Sequence, residues 1–203
     1  MKKILLAIFC VTSFTAFSQD IKVKAGINVP DFKVEHKTPN EKIDLVDKNN
    51  VGFYLGVGYE YKLNEKFSLE AEIIYNKISY DWDMFPYDSE RFNTLLVPIT
   101  LNYYPIEKLN IGIGANANYL LKSEIELSYI NAQNPEALLK GKEETTDFYH
   151  KLNYGLHFSA SYNIWKGLFV EARYYVGVGK MNKKTDLEDR SYNNLQLGLS
   201  YKF

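Results

Sequence analysis

The stretch Gln196-Leu197-Gly198-Leu199-Ser200-Tyr201-Lys202-Phe203 alternates apolar residues with polar or small ones. Alternation with a period of two is the pattern of a β-strand that has one apolar face. The last residues of a soluble domain usually fray, so an aromatic residue in phase with the other apolar side chains needs an apolar medium to face. Lipid is the medium that fits this strand best.

The amino terminus has the pattern of a cleaved secretory signal. Two lysines precede an apolar run (4–17), which ends in the small-x-small site Ala16-Phe17-Ser18. The run of about 14 residues is shorter than the roughly 20 that a membrane-spanning helix needs. We therefore expect residues 1–18 to form a signal peptide and residues 19–203 to form a single exported domain.

The composition favours a chain of alternating strands. The sequence has 17 Tyr and 12 Phe, yet its mean hydropathy is only −0.30. This combination suits strands that are apolar on one face. The single cysteine, Cys10, lies in the signal, so we expect neither disulfides nor thiol chemistry in the mature chain. A formal charge of −1 argues against nucleic-acid binding.

Period-two alternation predicts about eight strands. They are placed at residues 21–28, 51–61, 67–78, 94–104, 109–120, 148–163, 168–179 and 194–203. The connections alternate between tight turns (62–66, 105–108, 164–167) and long loops (29–50, 79–93, 121–147, 180–193). Short periplasmic turns and long extracellular loops are typical of outer-membrane barrels. The predicted fold is all-β: a single up-and-down antiparallel transmembrane β-barrel of about eight strands.

Aromatic residues on the apolar faces lie near the strand ends. Those toward the turns are Tyr59, Tyr61, Phe67, Tyr103, Tyr162, Tyr201 and Phe203, and those toward the loops are Phe53, Tyr75, Tyr119 and Tyr154. A separation of roughly eight residues on a tilted strand spans roughly 20 to 25 Å, the height of an outer-membrane apolar band. Pro98 lies mid-strand and lacks a donor, so we expect a bulge or an unpaired position there.

The opposite strand face carries charges that we interpret as a lumen charge network. Its members are Lys22, Lys24, Glu60, Glu70, Glu72, Glu171, Arg173 and Lys202. In a narrow barrel filled by side chains, the acids should pair with the cations; the alternative is a proton or ion path. A soluble lipocalin-type barrel is the alternative fold, but its interior is apolar, and burying these charges without lipid outside is costly.

Several segments match a known pattern in order along the chain. They are Lys24-Ala25-Gly26-Ile27-Asn28, Phe67-Ser68-Leu69-Glu70 with Tyr75, Leu96-Val97-Pro98-Ile99 with Tyr103-Tyr104, Glu171-Ala172-Arg173-Tyr174 with Gly177, and the 198–203 strand. The set resembles the PorT-like family of small outer-membrane barrels, also described as outer membrane protein beta-barrel domain or porin family. The resemblance implies an integral outer-membrane barrel without a shared catalytic site or cofactor. One relative takes part in a gliding-associated secretion route.

The closing strand also resembles the signal that the barrel-assembly machinery reads. That signal has a polar residue, a glycine two residues later, and aromatic residues at the last and third-last places. The matching positions are Gln196, Gly198, Tyr201 and Phe203. The resemblance implies that this machinery is a partner during biogenesis.

The three histidines are the candidates for a catalytic or metal site. His157-Phe158-Ser159 resembles the His-x-Ser pair of outer-membrane lipid A deacylases, but here both polar residues should face the lumen, so we expect a structural histidine. His36 and His150 do not have the spacing of a metal site. We therefore expect no catalytic residue, metal or cofactor, and no enzymatic activity.

The second long loop combines rigid aromatic residues with acids, as binding surfaces often do. Trp82, Phe85 and Tyr87 are the candidates for contact with a partner; one alternative is a loop that its aromatic residues tether at the membrane interface. Calcium binding by the acids of this loop is another alternative, although the spacing of a known calcium loop is missing. The third long loop carries many charges, which usually form a solvated face; bridging to lipopolysaccharide through divalent cations is the other hypothesis.

These patterns predict a non-enzymatic protein integral to the outer membrane. Its role would be structural or would lie in surface or envelope interaction, with an unknown partner at the extracellular loops. A porin-like channel for small solutes or ions is the first alternative, disfavoured by a filled lumen. A PorT-like accessory of protein secretion is the second, and a lipid-modifying enzyme the third.

Overall fold

A computed structural model describes the backbone of residues 21–36, 51–84, 87–131, 134–183 and 188–203. It describes their side chains except those of residues 31–36, 82–88, 129–138 and 184–191. The predicted signal peptide (1–18) lies outside the described residues.

The described part of the chain is built from antiparallel strands. They are β1 (Ile21–His36), β2 (Gly52–Lys62), β3 (Phe67–Met84), β4 (Tyr87–Ile106), β5 (Leu109–Asn131), β6 (Asn134–Glu144), β7 (Leu152–Trp165), β8 (Leu168–Val178) and β9 (Glu188–Lys202). A short 3₁₀ helix, Thr146–Phe148, lies between β6 and β7. Eight strands pair side by side in the order β1-β2-β3-β4-β5-β7-β8-β9, and β9 pairs with β1. The predicted closed eight-stranded antiparallel barrel is therefore confirmed.

The outside of the barrel is apolar and the inside is polar at the level of the turns. In β2, Val57 and Tyr59 are 53% and 49% exposed, while their neighbour Glu60 is fully buried. The same alternation exposes Leu197, Leu199, Tyr201 and Phe203 in the last strand. Because the apolar face points outward, the lipocalin arrangement is excluded.

The aromatic residues predicted near the strand ends face outward. All eleven predicted aromatic residues are exposed or half-buried, and at the turn end Phe67 and Tyr103 pack with ring centroids 5.2 Å apart. Trp165, which the sequence reading did not include, is 66% exposed beside the turn between β7 and β8. These rings lie where a membrane interface favours an amphipathic side chain.

The tight turns follow from local residue chemistry. Lys166 and Gly167 both have positive φ (30° and 87°), as a two-residue type I′ hairpin requires. In the turn between β2 and β3, the side-chain oxygen of Asn64 accepts hydrogen bonds from the backbone N–H groups of Lys66 and Phe67, each at 2.9 Å. The asparagine thereby takes the place of a backbone acceptor.

The long connections were predicted wrongly as loops, because much of each is strand. Residues 29–36 of β1 pair with β9, and residues 79–84 of β3 pair with β4. Within the third predicted loop, β5 continues to Asn131 and β6 pairs with it; β7 begins at Leu152 rather than at residue 148. Beyond the apolar band the outward face of these strands becomes charged, so period-two hydrophobicity disappears while backbone pairing continues.

Pro98 interrupts one ladder of the barrel wall, as predicted. The pairing of β3 with β4 stops at Ala71↔Ile99 and resumes at Ile74↔Leu96 without a change of register. Glu72 lies opposite Pro98 in this gap. The outcome is an unpaired position and not a bulge, because proline has no N–H for the ladder.

Candidate functional site

Charged side chains fill the lumen at the end where the tight turns lie. Lys22 is 1% exposed, and its Nζ lies 3.1 Å from an oxygen of Glu60 and 3.1 Å from an oxygen of Glu70. Lys202 reaches the same Glu60 oxygen at 2.9 Å. Lys22 thus joins β1 to β2 and β3, and Lys202 joins β9 to β2.

A second cluster lies one step further from the turns. Lys24 contacts Glu72, and its Nζ lies 3.0 Å from Glu171 and 3.7 Å from Glu70. Arg173 contacts Glu72 from the opposite wall. The network therefore crosses the lumen and connects β8 directly to β3.

The structure brings together all eight residues of the proposed lumen charge network. Four cations meet four carboxylates, so the formal charge of the set is zero. The carboxylates also accept hydrogen bonds from neutral side chains: Ser68 and Tyr104 donate to Glu60, Asn102 to Glu70, and Ser200 to Glu171. We call the eight charged residues, together with these neutral donors, the ionic layer. Because these buried charges are paired and hydrogen-bonded, their burial in the ionic layer is tolerated.

An amide layer lies above the ionic layer. Gln196 donates from Nε2 to the side-chain oxygens of Asn28 and Asn76, both at 3.0 Å. Asn194 donates to Asn28 at 2.9 Å. These bonds connect β9, β1 and β3 across the closing strand pair.

The outer end of the lumen is closed by an apolar plug, which the sequence reading missed. Its buried side chains are Tyr54, Ile74, Ile78, Phe92, Leu96, Leu120, Tyr149, Tyr175, Met181 and Tyr192. Ile74 and Ile78 lie on the same face of β3 as Glu70 and Glu72. The inner face of β3 changes from charged to apolar residues along the strand, and this change is the sequence signal that could have located the plug. Apolar residues on both faces of a strand indicate burial on both sides.

Residues 145–150 cover the plug from above. Tyr149 packs edge-on against Phe92, with ring centroids 5.2 Å apart. The buried Oε1 of Glu90 accepts hydrogen bonds from Tyr149 at 2.8 Å, Thr145 at 3.1 Å and Ser123 at 3.2 Å. One carboxylate thus fastens this segment to β4 and β5.

A small cavity lies among the residues of the ionic layer. One cavity of about 20 Å³ lies beside Lys24, Tyr54 and Arg173. A volume of this size holds about one water molecule. Arg173 Nε and Glu70 Oε1 have no hydrogen-bond partner among the described residues, so a water molecule in this cavity would have groups to bind.

His157 is a fully buried lumen residue, as expected from its phase. Its Nε2 lies 2.9 Å from the hydroxyl oxygen of Thr100 on β4, and its Nδ1 has no protein partner in the described structure. Thr100, and not Ser159, is therefore the partner of His157. Ser159 is half-buried and also faces inward.

The ends of β3, β4 and β5 continue beyond the barrel and, together with β6, form an outer sheet. Arg91 Nη2 lies 3.0 Å from Glu126, Lys140 lies 3.8 Å from Glu126, and Lys122 lies 2.9 Å from Glu124. The hydrogen bond between Lys122 and Glu124 raises the pKa of the lysine and lowers that of the carboxyl group. Paired charges of both signs therefore cover this sheet.

The side chains of the three predicted loop contact residues are outside the described part of the chain. Trp82 and Tyr87 are in the extended ends of β3 and β4, and Phe85 is outside the described residues altogether. Their contact role stays a prediction.

The four residues of the predicted assembly signal divide between two faces. Gln196 and Gly198 face the lumen, whereas Tyr201 and Phe203 face outward and pack edge-to-face at 5.0 Å. The signal therefore overlaps with residues that also have contacts in the folded barrel, and its role in assembly stays a prediction.

No group of three or more His, Cys, Asp or Glu side chains that could hold a metal ion occurs within the described residues. The same part of the chain contains no helix long and apolar enough to cross a membrane.

The family described as Outer membrane protein beta-barrel domain matches residues 17–183 of the sequence. The chain belongs to this family. With the apolar exterior and the closed barrel, membership makes it an integral outer-membrane protein, in contact with membrane lipid.

Two solved outer-membrane barrels share the fold. Ail, the attachment invasion locus protein of Yersinia pestis, is 14% identical, with a TM-score of 0.50 and coverage of 91% of this chain and 99% of Ail. Neisserial surface protein A (NspA) is 12% identical, with a TM-score of 0.54 and coverage of 90% of this chain and 97% of NspA. Likeness at such identities concerns the fold alone. No curated protein sequence matches the chain.

Proposed function

We propose that this outer-membrane barrel is a non-enzymatic, non-conducting support that holds the outer sheet at the cell surface, where the sheet contacts an external or envelope partner. The observation that carries the proposal is the filled lumen beneath a sheet that extends past the membrane. The barrel supplies anchorage and the outer sheet supplies recognition.

The filled lumen argues against the porin-like alternative. A solute would have to displace the plug of Ile78, Phe92 and Tyr149 and then break the ion pairs of Lys22 and Arg173. Removing one partner of a buried ion pair is strongly unfavourable, by about 3–5 kcal/mol. A steady aqueous path is therefore not expected.

The lengths of the strands argue for a projecting recognition surface. β4 has 20 residues and β5 has 23, whereas about 9–11 residues of a tilted strand cross a membrane. The outward face of the remaining residues is charged, for example at Arg91, Lys122 and Glu126, and so belongs in water. Long outer segments of such barrels face the cell exterior.

The last strand of the outer sheet is β6, which pairs with β5 in the described part of the chain. Its residues Lys140, Lys142, Glu143 and Glu144 give the sheet charges of both signs, by which a partner of complementary charge can be recognised.

The absence of enzymatic activity is part of the proposal. His157 bonds Thr100 inside the sealed lumen, where no lipid or soluble substrate reaches it. A lipid-modifying enzyme would instead need a polar constellation on the outward face, where the exposed residues of β7 beside His157 are Leu156 and Phe158.

Site-specific photocrosslinking in living cells tests the proposal. A photoreactive residue in place of Lys140, which is 63% exposed on the outer sheet, should capture a specific macromolecule at the cell surface. Lys66, in an exposed turn at the opposite end of the barrel, is the matched control and should not capture the same species. Identical products from both positions, or none from any outer-sheet position, would refute the recognition role.

The resemblance to the PorT-like family supports a finer alternative, in which the barrel is an accessory of protein secretion. Crosslinks from the outer sheet to components of a secretion apparatus would favour it. Deletion of the gene should then stop secretion while other barrels still assemble; continued secretion in the deletion strain excludes the accessory role.

A further inference from the structure

The strand pair that closes the barrel is aligned without the help of a turn. Tight turns join β2 to β3, β4 to β5 and β7 to β8, and such turns set how the joined strands align. β1 and β9 are instead the first and last strands in the described part of the chain, and they pair when the barrel closes. We call this closing pair the seam. Its register has to come from side chains.

The outward face of the seam does not determine the register. Apolar residues occupy every second position of both strands, with Ala25 opposite Leu199 and Ile27 opposite Leu197. A shift of β9 by two residues keeps apolar side chains toward the lipid, because side chains alternate with a period of two. The inner face therefore has to distinguish the correct register from the shifted ones.

The charged residues of the ionic layer are distributed unequally between the two sides of the seam. On β1, β2 and β3, three carboxylates outnumber two lysines, whereas on β8 and β9 two cations outnumber one carboxylate. The first set is Lys22, Lys24, Glu60, Glu70 and Glu72, and the second is Glu171, Arg173 and Lys202. The two sides thus have formal charges of −1 and +1 and attract each other.

Three ion pairs connect the two sides across the seam. Each joins a residue of β8 or β9 to a residue of β1, β2 or β3, and each of these side chains is at most 16% exposed. The pairs are Lys202 with Glu60 (2.9 Å from Nζ to Oε2), Arg173 with Glu72, and Lys24 with Glu171 (3.0 Å from Nζ to Oε2). The attraction between the two sides is therefore made by specific contacts.

A shift of the register would break these three contacts together. Moving β8 and β9 by two residues relative to β1 displaces each partner by roughly 7 Å along the strand, whereas an ion pair needs its N and O atoms within about 4 Å. Lys22 and Lys202 lie directly opposite each other, and like charges in that arrangement are unfavourable. Glu60 compensates both, because its Oε2 lies 3.1 Å from the Nζ of Lys22 and 2.9 Å from that of Lys202.

We propose that the three ion pairs across the seam select the register in which β9 joins β1, so that the ionic layer is the recognition element of barrel closure. The carboxylates of β2 and β3 attract the cations of β8 and β9, and the observed register brings each cation to its partner. This role concerns the formation of the barrel and is independent of any partner of the outer sheet.

Disulfide trapping across the seam, in outer membranes of cells that express the protein, tests this proposal. Cys10 is the single cysteine of the sequence, so Cys10→Ser gives a background without thiols. Ala25→Cys/Leu199→Cys reports the observed register, because directly opposite residues lie within disulfide reach. Ala25→Cys/Leu197→Cys and Ala25→Cys/Tyr201→Cys report the two shifted registers. In the observed register these diagonal neighbours are about 7–8 Å apart, too far for a disulfide.

Two matched variants separate the charge difference across the seam from the mere presence of buried ion pairs. Glu72→Gln/Arg173→Gln is the test variant, because it removes a pair that crosses the seam and makes both sides neutral. Lys22→Gln/Glu70→Gln is the control variant. It removes a buried pair that lies on one side of the seam and keeps the charges of −1 and +1. Each variant loses one cation and one carboxylate, so the lumen stays neutral in both.

The wild-type background and the control variant should crosslink in the observed register. In the test variant, the ratio of shifted to observed-register crosslinks should rise at least about tenfold. Crosslinks are counted in the heat-modifiable gel band of folded protein; if the test variant does not fold, Glu60→Gln/Lys202→Gln takes its place, because it also makes both sides neutral.

Two outcomes would overturn the proposal. An unchanged crosslinking pattern in the test variant would assign the register to the close contact of Gly26 with Gly198 and not to the ion pairs. Equal increases of the shifted crosslinks in the test and control variants would mean that buried ion pairs matter in general, irrespective of whether they cross the seam.

Discussion

Gly26 and Gly198 face each other across the strand pair that closes the barrel, and neither position has room for a methyl group. A Cβ on Gly26 would lie 2.6 Å from the Cα of Gly198, and a Cβ on Gly198 would lie 2.9 Å from the Cα of Gly26. The ring of Tyr54 covers the pair from inside, with Cε1 2.7 Å from the Gly26 Cβ position. The two glycines let β1 and β9 approach closely enough for Tyr54 to lie over the seam.

This contact predicts a large effect of Gly198→Ala. The added methyl group should displace Tyr54 and the β1 backbone and lower the free energy of unfolding by about 1–3 kcal/mol. Urea unfolding of the protein refolded in detergent measures the change. Leu199→Ala is the control, because Leu199 is the next residue of β9 and is 50% exposed on the lipid-facing side. Equal stabilities of the two variants would show that the seam is not tightly packed.

The ionic layer predicts that substitution of Arg173 lowers the free energy of unfolding more than substitution of a surface cation. Arg173→Met should destabilise by about 3–5 kcal/mol because Glu72 keeps only Lys24 as a cationic partner. Lys140→Met, on the outer sheet, should cost less than about 1 kcal/mol. The Arg173→Met/Glu72→Gln double variant should lose less than the sum of the single variants, which urea unfolding of all four proteins determines. Additive losses would mean that the two side chains are not coupled.

The apolar plug predicts opposite outcomes for two adjacent isoleucines. Ile74 is fully buried in the plug, whereas Ile73 is 53% exposed on the lipid-facing side. Ile74→Ala should destabilise by about 2–5 kcal/mol because it leaves a cavity inside the lumen. Ile73→Ala loses only contacts with detergent or lipid and should change stability far less. Similar losses in unfolding experiments would contradict the assignment of these two residues to opposite faces.

Phe203 predicts a difference between assembly in cells and folding in detergent. Its ring packs on Tyr201 on the outside of the barrel, so removal should leave refolding in detergent nearly intact. If the barrel-assembly machinery reads this residue, outer-membrane levels in cells should fall severalfold, as heat-modifiable bands on gels of outer membranes report. Gly198→Ala should instead weaken folding in both settings. Normal levels of the Phe203 deletion in cells would remove this residue from the proposed signal.

The membrane-spanning strands were predictable because each has one apolar face. Residues such as Val57 and Tyr59 alternate with Glu60, and this alternation located the strands and the lumen charges together. The outer sheet was missed because its outward face carries charged residues such as Arg91, Lys122 and Glu124 in place of apolar ones, so the hydrophobic period ends there.

The apolar plug was missed for a different reason. Ile74 and Ile78 are in phase with Glu70 and Glu72 on the inner face of β3, and the predicted lumen charge network names only the charged residues of that face. Local alternation assigns a residue to a face but does not report what fills the centre of a barrel at each height. The contacts of Tyr149 and Met181 depend on distant segments of the chain that meet only in the folded protein.

Planar-bilayer conductance of the purified wild-type protein tests the central claim that the lumen is sealed. The ionic layer and the apolar plug predict no steady conductance, including at high membrane potential. Steady currents that change when Arg173 or Phe92 is substituted would contradict the account and would make the barrel a channel.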